Sequence, residues 1–115
     1  MSRTIVNTLD LSRAPEAMVA LQAAGRLVNL PGDRARVLPA MAEADAYLAN
    51  AKIVIDDEFL GAAPRLKVIG SRSTGTDHMD LAAIDARGIV RFDIAREYEL
   101  INGFTATAEL DIDRA

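Results

Sequence analysis

Residues 66–80 read LKVIGSRSTGTDHMD. Leu66–Gly70 is a short apolar run of strand length, Ser71–Asp77 is a hydroxyl-rich turn broken by Gly75, and Asp80 stands where a helix N-cap belongs. Leu81–Arg87 then predicts a helix closed by Gly88, and Ile89–Ile94 predicts another strand. Strand, helix and strand in this order make a parallel unit. Upstream the same alternation recurs. Thr4–Thr8 predicts a strand and Pro15–Ala24 a helix, with Pro15 in its first turn and Gly25 just beyond its end. Arg26–Leu30 predicts a second strand, stopped by Pro31 and Gly32. Asp33 caps a helix carrying Val37, Leu38 and Met41, whose start Pro39 is expected to delay or kink. Asp45–Ala49 predicts a third strand, and Asp56–Leu60 one acid-started helical turn before Pro64. Five such units, too few for a barrel, predict a flavodoxin-like, doubly wound α/β fold: a five-stranded parallel sheet of order 2-1-3-4-5 with helices on both faces.

Composition narrows the function. The 115 residues are 50% hydrophobic and 26% charged, which is enough for one domain with one core. There is no cysteine, so disulfides, thiolate metal sites and cysteine nucleophiles are excluded. Net charge is −4, and the 11 arginines and two lysines are scattered singly, leaving no footprint for nucleic acid or a membrane surface. Charge interrupts the N-terminal apolar residues well before a signal peptide or membrane span is complete, so the expected location is the cytoplasm.

In open α/β sheets ligands gather at the carboxyl ends of the strands, which singles out the turn after Gly70. Gly75 lets an anion approach neighbouring backbone amides, and Arg72 either clamps that anion or is a solvated loop arginine. Asp80 reads as a helix cap, not a catalytic acid. Asp77 and His78 make a poor metal set from adjacent positions, and Ser73, Asp77 and His78 do not form a triad, whose members converge from separate elements. Tyr98 faces the same cleft or packs elsewhere. Neither G-x-G-x-x-G nor a P-loop occurs, so no metal, cofactor or catalytic residue is assigned within the chain.

Residues 63–90, APRLKVIGSRSTGTDHMDLAAIDARGIV, resemble the N-terminal half of the D-isomer-specific 2-hydroxyacid dehydrogenases, most like the D-lactate and phosphoglycerate dehydrogenase branches. Thr105–Leu110 is similar to that family's entry into its interdomain helix. The likeness runs from about Ile53 to Leu110 and more loosely over the first fifty residues. It implies a two-domain NAD-dependent oxidoreductase in which a flavodoxin-like substrate domain meets a Rossmann domain; a bacterial source is expected separately, from the arginine and alanine bias of a GC-rich genome. It further implies that the catalytic arginine, glutamate and histidine lie beyond this chain, which looks truncated before the NAD-binding domain. Ser73, Thr74 and Gly75 match the loop whose amides hold the substrate carboxylate, with Arg72 beside them; His78 matches a structural Asn/His position. Two departures stand out: the 95–104 loop is longer than usual, and the interdomain helix becomes Asp111–Ala115.

These readings define a substrate-binding domain at 1–104, a remnant of the interdomain helix at 105–115, and a chain inactive by itself. NAD belongs to the parent enzyme and a small 2-hydroxy or 2-keto acid is the ligand, bound weakly. The alternative is a stand-alone flavodoxin-like module that binds an anion or FMN, or that self-associates. The face that would meet the Rossmann half is expected to be apolar and to form a homodimer.

Overall fold

The computed structural model describes residues 3–12, 14–30, 33–50, 52–71 and 78–93, and the side chains of these except for Phe92 and Asp93. The elements run β1 (Thr4–Asn7), α1 (Pro15–Ala24), β2 (Arg26–Asn29), α2 (Arg34–Ala40), a 3₁₀ turn (Met41–Glu43), β3 (Ala46–Ala49), α3 (Asp57–Gly61), β4 (Val68–Ser71), α4 (Leu81–Ala86) and β5 (Val90–Asp93). All pairings are parallel and the order is β2-β1-β3-β4-β5, as the sequence predicts.

Strand alternation sorts the core onto two faces. Val6, Tyr47, Ala49 and Ile69 point to one, where they pack with Val37 and Met41 beside α2, Phe59 and Leu60 of α3, and Ile84 of α4. Ile5, Ala46, Leu48 and Val68 point to the other, against Ala17 and Leu21 of α1. With α1 on one face and α2, α3 and α4 on the other, all crossovers share one hand, and β1 and β3 flank the point where the connections diverge.

Three aspartates start helices as expected. Asp33 accepts from Arg36 N (3.1 Å), Asp56 from Phe59 N (3.0 Å) and Asp80 from Ala83 N (3.1 Å). One local expectation is corrected. Pro39 does not delay α2, which begins at Arg34 and carries Pro39 in its last turn. The proline removes one late hydrogen bond, and the chain tightens at once into the 3₁₀ turn. Gly25 ends α1 without a left-handed residue, at φ 173°. Its missing side chain matters because a Cβ there would lie 2.6 Å from Arg3 O, and Arg26 N donates to that oxygen at 2.6 Å. Gly88, by contrast, does adopt φ 69° after α4.

Candidate carboxylate-binding edge

The described residues after β1 and β3 and the end of β4 lie at the carboxyl edge of the sheet. β4 ends at Ser71, fully buried and in register with Ala49 and Asp93. Arg72, Ser73, Thr74 and Gly75, together with Asp77, lie outside the described residues, as do Tyr98 and the whole of 95–115. The chain is described again at His78, where it is pinned. Ile55 N donates to His78 O (2.7 Å) and Asp80 N donates to Ile55 O (2.8 Å), an isolated parallel bridge between Ile55 and Met79. Ser71 is thus fixed in β4, and His78 to Asp80 are fixed against the β3–α3 connection.

That connection is itself braced. Arg34, at the start of α2, reaches Asp56 Oδ1 at 2.5 Å and Glu58 Oε1 at 3.0 Å, so the first turns of α2 and α3 are tied beside Ile55. All three side chains are partly exposed, so the pairing is worth at most about 1 kcal/mol and acts mainly on geometry. His78 is buried, and its Nε2 has no hydrogen-bond partner among the described residues. A base or nucleophile oriented by a neighbour is not what this arrangement provides.

The crevice between β1 and β3 is laced across. Thr8 Oγ1 donates to Leu48 O (2.6 Å) and accepts from Asn50 N (3.0 Å), while Asn50 Nδ2 donates to Thr8 O (3.3 Å). Side-chain turns complete the edge: Asn7 Oδ1 accepts from Leu9 N (3.0 Å), Asp10 Oδ1 from Ser12 N (3.0 Å) and Asn50 Oδ1 from Lys52 N (2.8 Å). Sequence reasoning missed these turns, although an asparagine or aspartate at or shortly after a strand's end is their signal. The Ile55–Met79 bridge and the Arg34 clamp had none, because each joins elements far apart in sequence.

The family model for the D-isomer specific 2-hydroxyacid dehydrogenase catalytic domain matches residues 6–97. The chain belongs to this family. Among its relatives, the D-3-phosphoglycerate dehydrogenase of Mycobacterium bovis is 40% identical over 92 residues, covering 78% of this chain and 17% of that protein. The erythronate-4-phosphate dehydrogenase of Aeromonas salmonicida is 32% identical over 78 residues, 68% of this chain and 20% of that protein. The chain thus spans about a fifth of these dehydrogenases. Among solved structures, D-lactate dehydrogenase from Aquifex aeolicus, in complex with NAD and lactic acid, superposes with a TM-score of 0.69 at 26% identity, over 81% of this chain and 28% of that one. The PH0520 protein from Pyrococcus horikoshii gives 0.73 at 25% identity, over 82% and 28%.

NAD implied by this family does not fit the described residues. A dinucleotide needs glycines after β1 so that its pyrophosphate can approach the backbone. Here Thr8–Ser12 contains none, and Leu9 and Leu11 are buried there. Among the described residues, no helix is long and apolar enough to cross a membrane, and no three His, Asp or Glu side chains cluster to hold a metal.

Proposed function

We propose that this chain is the substrate-binding part of an NAD-dependent D-2-hydroxyacid dehydrogenase and that Ser73, Thr74 and Gly75 hold the substrate carboxylate through backbone amides, with Arg72 adding charge. What supports this is the family match over residues 6–97 together with the flanking positions, Ser71 at the buried end of β4 and Met79 bridged to Ile55. The lacing of Thr8 and Asn50 across the β1/β3 crevice supports this loop over an FMN site in that crevice.

The substrate is a small 2-hydroxy or 2-keto acid. Phosphoglycerate and erythronate phosphate, named for the relatives, and lactic acid, bound in the Aquifex enzyme, share a carboxylate beside a hydroxyl-bearing carbon. In the proposal residues 1–104 form the domain, and 105–115 lead into the interdomain helix. NAD accepts or delivers the hydride on a separate domain, and the acid/base groups are supplied there as well. The chain by itself therefore binds substrate weakly, transfers no hydride and self-associates through its domain-facing surface. Incubation with NADH and glyoxylate, or with NAD and D-lactate, leaves the nicotinamide absorbance unchanged; turnover would overturn the assignment. Light scattering shows a concentration-dependent dimer, and a strict monomer at high concentration contradicts that part.

A further inference from the structure

We infer that Arg34 is a positioning residue for substrate binding, acting from the start of α2 on the backbone of residues 78–80 through Asp56 and Ile55. The inference rests on the proposed assignment of the substrate carboxylate to Ser73, Thr74 and Gly75, the segment that leads into His78.

The connection runs contact by contact. Arg34 is the first residue of α2, and its two terminal nitrogens reach Asp56 Oδ1 (2.5 Å) and Glu58 Oε1 (3.0 Å). Asp56 Oδ1 also accepts from Phe59 N (3.0 Å), so one oxygen serves both the cap of α3 and the tie to α2. The residue before it, Ile55, is fully buried; its N donates to His78 O (2.7 Å) and its O accepts from Asp80 N (2.8 Å). Asp80 in turn caps α4 through Ala83 N (3.1 Å). The starts of α2, α3 and α4 are thereby joined in series at the carboxyl end of the sheet, on one face of it.

Arginine suits this place. Asp56, Asp57 and Glu58 crowd three carboxylates into the start of α3, and the planar guanidinium holds two of them at once, which a lysine ammonium does less well. Its effect is local and bounded, because all three side chains of the cluster are partly exposed. Losing it shifts the opening equilibrium of the Ile55 bridge severalfold and leaves the strands, buried on both faces, as they are.

Amide hydrogen exchange on the full chain, without ligand, reads the coupling. In Arg34→Met the Ile55 and Asp80 amides should exchange about three- to fivefold faster, with Arg34→Lys between it and wild type. The amides of Asp45 and Val90, bonded at the opposite end of the sheet to Thr4 O (2.8 Å) and Lys67 O (3.0 Å), should keep their rates. Glyoxylate titration of the ¹⁵N-labelled chain then reads binding. The Kd should rise about threefold in R34M, less in Asp56→Asn, which retains the cap, and no further in the double variant than in R34M, because both changes remove one contact. Uniformly faster exchange at all four amides, unchanged Ile55 and Asp80 rates, an unchanged Kd in R34M or an additive double variant would each overturn the inference alone. Wild-type chain without saturable shifts at Ser73–Gly75 would overturn the carboxylate assignment, and the inference with it.

Discussion

Tyr47 is fully buried on β3, with its ring tilted 52° against Phe59 at a centroid distance of 5.0 Å. Among the described residues its hydroxyl has no well-formed hydrogen bond, and the nearby Thr8 Oγ1 donates to Leu48 O. Burial pushes the Tyr47 pKa from 10.0 up to about 12, with Thr8 offsetting a little. The folded chain therefore keeps a proton that the unfolded chain releases. Stability from this group is intact below pH 10 and is lost as pH rises toward 12, a fall of about 2–3 kcal/mol. Tyr47→Phe keeps the ring contact and removes the orphaned hydroxyl. Urea unfolding should show it equal to or up to about 1–2 kcal/mol more stable than wild type at pH 7, and without this part of the alkaline loss. Backbone approach governs Gly25. Alanine there meets Arg3 O and costs roughly 2–3 kcal/mol, whereas Gly61→Ala in α3, with nothing within 4 Å of the new Cβ, is neutral or gains up to about 1 kcal/mol in the same assay.

Elements show how far the sequence could be read. Strand order, both faces and the three aspartate caps were legible because each is written in local periodicity or in a residue with a cap preference. Pro39 misled, because its local effect was outweighed by Val37 and Met41 packing under the sheet. The candidate site was legible only as a motif. Its supports are cross-chain contacts, and Arg72, Ser73, Thr74 and Gly75 lie outside the described residues. The caps give a graded test. Asp80→Ala loses the bond to Ala83 N and should cost about 1 kcal/mol. Asp56→Ala loses both its cap and Arg34, about 1–2 kcal/mol, while Asp56→Asn retains the cap and costs only the ion pair, under about 1 kcal/mol. Thermal unfolding of the three variants checks the ranking.

At the scale of the molecule, one sheet edge carries two kinds of loop. Those after β1 and β3 spend their polar groups on each other, as Thr8 and Asn50 do, while after β4 the chain is next described at His78 and Met79, bridged to Ile55. That division is why a substrate carboxylate is assigned to 72–77 and not to the crevice beside β1. The most direct test follows the backbone amides of the ¹⁵N-labelled chain as glyoxylate is added. The account predicts saturable shifts at Ser73, Thr74 and Gly75, with smaller ones at Ser71 and His78, and their loss in Arg72→Ala or a severalfold weaker Kd. Amides of 72–77 that stay unmoved at saturating glyoxylate, while others shift, would contradict it.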